Sequence, residues 1–164
     1  MSEARPNSNW IWYFVVLAAL SLIAVVTLIV YNLQQQLKPE QLAAAQKLWD
    51  EKGPRSYRLK YTVKKNDDPR VDEYTVKVVD GKVMAATVNG LEEPLERLRY
   101  YGMAVLFKYI EDYQELDRKQ GQPRTYCRAI FDPDTGALRW YVRRVMGRRE
   151  RVEITVQRLE PAER

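Results

Sequence analysis

Between Trp10 and Tyr31 the chain runs for 22 residues without a charge, and that run decides which surroundings the segment tolerates. Its only polar interruptions are Ser21 and Thr27, whose hydroxyls can bond back to carbonyls one helical turn earlier. At about 1.5 Å per residue such a helix reaches roughly 33 Å, enough to cross a hydrocarbon core of about 30 Å. Trp10, Trp12 and Tyr13 mark one end and Tyr31 the other, where amphipathic rings settle at a lipid–water boundary. A cleaved signal peptide is the rival. It asks for a basic leader, a shorter apolar core and a small-residue cleavage site. Here "MSEARPNSN" balances Glu3 against Arg5, and the exit Tyr31-Asn32-Leu33-Gln34 offers no small pair. A buried core helix would keep a polar face, and this one has none. The reading is an uncleaved anchor: residues 1–9 a short tail, 10–31 in the lipid bilayer, 32–38 a stalk or an extension of the membrane helix. Arg5 and the terminal amine on one flank face Lys38 and Lys47 on the other, so the positive-inside rule leaves the orientation open.

Beyond the stalk the periodicity describes one soluble domain over residues 39–160. Pro39 suits the first turn of a helix that places Leu42, Ala45, Leu48 and Trp49 along one side and stops at Gly53-Pro54. The period then switches to two. Tyr57, Leu59, Tyr61 and Val63 alternate with polar residues, "NDDPR" breaks the run, and Tyr74, Val76 and Val78 resume it. Asp80-Gly81 is a two-residue hairpin signal leading into Val83. "NGLEEPLERLRYYG" reads as a connection with one helical turn. A second helix puts Met103, Leu106, Phe107, Ile110 and Tyr113 on one stripe. Three strands follow, alternating through Cys127, Ala129 and Phe131, then Leu138, Trp140 and Val142, then Val152, Ile154 and Val156. Their turns are "DPDTG" and "MGRRE". The expected fold class is α+β: an N-terminal transmembrane helix, then an α-β-β-β-α-β-β-β domain. Its antiparallel sheet is covered on one face by helices, with Leu106 and Phe107 packed opposite Trp140 and Val142.

"GPRSYRL" at 53–59 returns in part as "QPRTYCR" at 122–128. Aligning Tyr126 with Tyr57 leaves the apolar set of the later strand one residue out of step, which would turn every side chain to the other face. The order of elements repeats, and the sequence does not.

Several features together carry a resemblance. They are Trp49 ahead of Ser56-Tyr57, the hairpin "VKVVDGKV" at 76–83, Leu106-Phe107 followed by Ile110, and the turn Asp132-Pro-Asp-Thr-Gly136. Over about residues 48–159 the chain resembles a bacterial domain family of unknown function, found mostly in small exported lipoproteins and membrane-anchored proteins. The resemblance implies export and a compact α+β domain, and it brings no catalytic residues. This chain lacks a lipid-attachment cysteine, and Thr62 and Lys64 stand where some members carry cysteines. A redox or metal role in those relatives does not transfer.

The residues offer little for catalysis. There is no histidine and one cysteine, which removes the commonest general base, the Ser-His and Cys-His nucleophile pairs and a structural zinc site. The seven glycines are scattered at turns, so no phosphate-cradling loop is present. Asp132 and Asp134 read as a plain turn without the ligand series of a calcium loop. Glu111, Asp112 and Glu115 read as a solvated helix face. Cys127, alternating with Ala129 and Phe131, reads as a buried, inert thiol. The expectation is a protein without enzymatic chemistry or cofactor.

One surface remains. "RWYVRRVMGRRER" at 139–151 carries six arginines against Glu150 alone, in a chain of net charge +5. Arg139, Arg143, Arg148, Arg149 and Arg151 are the possible anion-binding set, since guanidinium forks suit phosphate, carboxylate or a lipid headgroup. The bland alternative is a soluble face whose arginines pair with Glu153 and its neighbours. Recognition requires these arginines exposed and free of carboxylates; a structural role requires them paired. Two functions follow. The first is a membrane-anchored, extracytoplasmic binding or scaffold module with an envelope protein partner. The second is an anion-recognising module for a phospholipid headgroup or an envelope polyanion, with nucleic acid the least expected ligand.

Overall fold

The computed structural model describes residues 9–66, 68–119, 121 and 123–162. The chain divides into two units, Met1–Gln36 and Leu37–Arg164. The first holds helix α1, Asn9–Gln34, in which every described side chain from Trp10 to Tyr31 is exposed. Ser21 and Thr27 donate their hydroxyl protons to the carbonyls of Leu17 and Ile23, at 2.9 and 2.8 Å, so the two polar groups are satisfied within the helix.

The second unit contains helix α2 (Pro39–Lys52), strands β1 (Tyr57–Lys65), β2 (Val71–Val79), β3 (Lys82–Val88) and β4 (Leu91–Glu92), and a 3-10 turn at Leu95–Tyr100. Helix α3 (Met103–Arg118) and strands β5 (Thr125–Phe131), β6 (Leu138–Val145) and β7 (Arg151–Pro161) complete it. Pro39 opens α2 as its fixed φ and missing N–H favour, and the Gln41 side chain accepts the Lys38 N–H at 2.9 Å. All strands join one antiparallel sheet in the order β4-β3-β2-β1-β7-β6-β5. Asp80 and Gly81 both take positive φ in the β2–β3 turn, the conformation that matches the twist of a tight hairpin. The fold class is therefore the mixed α+β expected. The sheet gains one strand, because β4 forms within "NGLEEPLERLRYYG", where sequence placed a helical turn alone. That turn follows as the 3-10 segment.

One core holds the unit together. Leu42, Ala45 and Trp49 from α2 and Met103, Leu106, Phe107 and Ile110 from α3 join Tyr57, Leu59, Tyr61 and Val63 of β1 in it. Tyr57 packs edge-on against Trp49, with ring centroids 5.4 Å apart. Its hydroxyl also accepts the Met103 N–H at 3.1 Å, satisfying one of the free donors at the start of α3. Tyr126, its counterpart in the sequence echo, is only half-buried and pairs with Arg144.

The sixth strand departs from its expected facing. Leu138 and Tyr141 belong to the core, and Val142 is buried outside it. The β5–β6 register shifts between Ile130 and Phe131, pairing Phe131 with Leu138 and Ile130 with Trp140. Arg139 is thus an extra residue, and such a bulge reverses the facing of everything beyond it. Tyr141 and Arg143 share the core side with Ile154 and Val152, their partners across β7. Trp140 and Val142 take the opposite side. Phe107 is fully buried, as expected, but its aromatic partner is Phe131, stacked at 6.0 Å.

The turn between β5 and β6 lies directly against α2. Gly136 has φ +76°, and a Cβ there would collide with the Ala45 carbonyl and lie 2.8 Å from the Trp49 nitrogen. Gly136→Ala is therefore expected to cost about 1–2 kcal/mol from the left-handed backbone alone, with a further loss as α2 is pushed away. Chemical denaturation of the full chain in detergent, followed by near-UV dichroism, measures it; an unshifted midpoint means that α2 does not pack on this turn.

Candidate functional site

The arginine hairpin is mostly paired. Arg139 donates to Asp132, from Nε at 3.1 Å and from Nη2 at 2.5 Å. Arg148 lies 3.5 Å from Glu150, and Arg151 lies 2.7 Å from Glu153. Arg149 is exposed and has no partner among the described residues. Arg143 is not at the surface at all: its side chain is 8% exposed. The expectation of an exposed Arg143 is thus corrected, and the cause is the bulge at Arg139 that turns it inward. The five arginines do not converge on one open site.

Arg143 instead organises a buried polar cluster. From the last turn of α3, Asp117 accepts its Nε at 3.0 Å and its Nη2 at 2.5 Å, a two-point pairing suited to the planar guanidinium fork. The guanidinium carbon stands 4.5 Å from the centre of the Tyr113 ring, a cation–π contact strengthened by the lack of water. Hydrogen bonding to Asp117 raises the Arg143 pKa further above its ordinary value. The Cys127 thiol donates to the same carboxylate at 3.7 Å. Burial, reinforced by the charge of Asp117, pushes that thiol up to about 11, so it stays protonated near neutral pH and is a poor nucleophile. The Tyr141 hydroxyl is buried without a full hydrogen bond, and burial raises its pKa as well. These groups hold α3 to β6. They present little to solvent, with Arg143 and Asp117 side chains 8% and 11% exposed.

The acidic positions separate cleanly. Glu111, Asp112 and Glu115 are exposed on α3, where Lys108 pairs with the first two at 3.4 and 2.9 Å. Asp132 is a turn residue: its Oδ1 accepts the N–H groups of Asp134 and Thr135, both at 2.9 Å. The Arg139 hydrogen bond and these backbone donors pull its pKa from 3.8 to about 2. A depressed carboxylate stabilises the fold above its unfolded pKa and loses that contribution as pH falls through the folded one. The window here runs from about 4 down to about 2. In Arg139→Gln the Asp132 carboxyl titration, followed by NMR, is expected to move back toward the ordinary range; an unmoved midpoint removes Arg139 as the main cause. Among the described residues no cluster of three His, Cys, Asp or Glu side chains could hold a metal.

A tyrosine-walled cavity of about 210 Å³ is one of the concave features among the described residues, and the one richest in aromatic faces. Tyr61 of β1, Tyr74 of β2, Tyr100 at the end of the 3-10 turn and Tyr101 just after it, and Tyr109 of α3 line it, with Lys65. Tyr61 and Tyr74 stack at 4.7 Å with planes 4° apart, and Tyr101 tilts against Tyr74 at 6.1 Å. Burial raises the pKa of Tyr61, Tyr74 and Tyr101, so the walls are neutral phenols. Such a lining offers aromatic faces for stacking, hydroxyls that donate and accept, and one ammonium.

Sequence reasoning missed this cavity because its tyrosines come from four separate elements. Their abundance, 11 in the chain, was the only advance signal. No protein-family model matches the chain, and no curated protein is detectably similar to it.

Proposed function

We propose that this protein is a single-pass membrane protein whose Leu37–Arg164 unit is an extracytoplasmic binding or scaffold module, engaging an envelope partner at the tyrosine-walled cavity. One observation carries the anchoring. The helix from Trp10 to Tyr31 is uncharged, none of it is buried by protein, and water is a poor solvent for 22 such residues. The resemblance over residues 48–159 supports export, and so supports residues 32–164 lying outside the cytoplasm. The cavity supports binding over catalysis: phenols in low dielectric recognise by stacking and hydrogen bonding. The arginine hairpin is the weaker surface for an anion, since Arg139, Arg148 and Arg151 already have carboxylates and Arg143 is buried.

Two measurements check this reading. Alkaline phosphatase fused at the carboxyl end is expected to be active and a fluorescent-protein fusion dark; the reverse pair would place the domain in the cytoplasm. A photo-crosslinker replacing Tyr100 at the cavity rim, 56% exposed, is expected to give an adduct in native membranes that the same crosslinker at exposed Lys47 of α2 does not. Equal adducts at both positions remove the cavity as the binding site.

A further inference from the structure

The sheet face opposite the core is built against its own electrostatics. Burial of Tyr57, Leu59, Tyr61 and Val63 on β1 sends Arg58 and Lys60 to the other side. The register then sets Arg58 between Lys77 and Glu160, Lys60 against Arg158 and Arg144 against Arg151. Like charges directly opposed across a sheet are destabilising, and three such pairs on one face do nothing for the fold itself. Carboxylates relieve part of it: Glu73 meets Lys60 at 2.9 Å, and Glu153 and Glu160 meet Arg151 and Arg158 at 2.7 and 2.5 Å. Arg58, Lys77 and Arg144 have no carboxylate partner among the described residues.

We propose that this face docks on anionic lipid headgroups. Of the six cations on β2, β1, β7 and β6, Lys60, Arg151 and Arg158 have carboxylate partners. The other three, Arg58, Lys77 and Arg144, stand on β1, β2 and β6, which at about 4.8 Å per strand spreads them over roughly 15 Å. A broad array suits a planar charged surface, whereas one linear polyanion would need only a stripe. Trp140 shares the face, its indole N–H donating to Glu153 at 2.9 Å, and tryptophan favours the headgroup boundary. Only Gln35 and Gln36 separate α1 from Leu37, whose N–H is bonded to the Cys127 carbonyl. A tether this short makes the anchoring membrane the anionic surface at highest effective concentration. The proposal rests on the anchoring reading in this last step alone.

The test uses the full chain with Cys127→Ser and a spin label on Thr75→Cys, an exposed position opposite Lys60. It is read in nanodiscs of phosphatidylcholine alone or mixed with phosphatidylglycerol. At about 0.01 M salt, where the Debye length is about 30 Å, the label should lose access to an aqueous relaxing agent only in the mixed discs. Access should return at about 1 M, where that length is about 3 Å. Arg58→Glu, Lys77→Glu and Arg144→Glu together should abolish protection, since each cation near an anionic surface is worth about fivefold in binding, roughly a hundredfold for three. The corresponding Gln variants, checked by near-UV dichroism, separate lost binding from lost fold. Equal access in both discs overturns the proposal. Protection by dissolved polyphosphate with none from mixed discs overturns the lipid assignment. If the chain does not enter discs, anchoring fails separately, and the label read on added phosphatidylglycerol vesicles still decides the face.

Discussion

Arg143→Ala is expected to destabilise the domain by about 3–5 kcal/mol, because removing one partner of a buried ion pair strands the other. Asp117 is 11% exposed, too little for water to replace the two hydrogen bonds it would lose. The cation–π contact with Tyr113 goes at the same time. Asp117→Ala should cost a similar amount by stranding the guanidinium. Arg143→Met with Asp117→Leu should recover most of the loss, since well-packed apolar replacements of a buried pair are often neutral. Urea unfolding of the full chain in detergent, run as a double-mutant cycle, gives the coupling. A single mutant within about 0.5 kcal/mol of the parent, the range of ordinary surface substitutions, would show the pair to be solvated.

Phe107→Ala should cost about 3–5 kcal/mol, through lost transfer energy and the cavity it leaves. Phe107 is 1% exposed and stacks on Phe131, so it ties α3 to the edge strand β5. The neighbouring Leu106, 5% exposed, offers a comparison at about 2–5 kcal/mol. The same unfolding experiment applies. An unchanged midpoint for Phe107→Ala would mean that α3 is not docked on β5.

Both predictions concern α3, yet only one was legible in the sequence. Phe107 sits in a stripe at helical spacing, and a helix keeps that spacing whatever it packs against. Arg143 was read as a surface cation because Leu138, Trp140 and Val142 alternate, and alternation names a face only while the strand stays regular. Residues 138–145 carry apolar or aromatic side chains on both faces. Local pattern could not choose between Trp140 with Val142 and Tyr141 with Val145. The choice was made by β5, whose pairing leaves Arg139 as the extra residue.

The amino-acid sequence by itself determined the apolar span from Trp10 to Tyr31, the order of the elements apart from β4, and the α3 stripe, since each rests on contacts within a few residues. It also marked Asp80-Gly81 as a hairpin, because the backbone of those two residues suffices. Tertiary structure alone decided what depends on residues meeting from afar. Asp117 and Arg143 pair across 26 positions. Gly136 is required by the carbonyl of Ala45, far back in α2. Five tyrosines become a cavity only when β1, β2, the 3-10 turn and α3 close around it. Opposed cations on the open face exist only once register is set. Periodicity is a property of one element, whereas a site here is a property of several, and pairing register fixes which of their side chains meet.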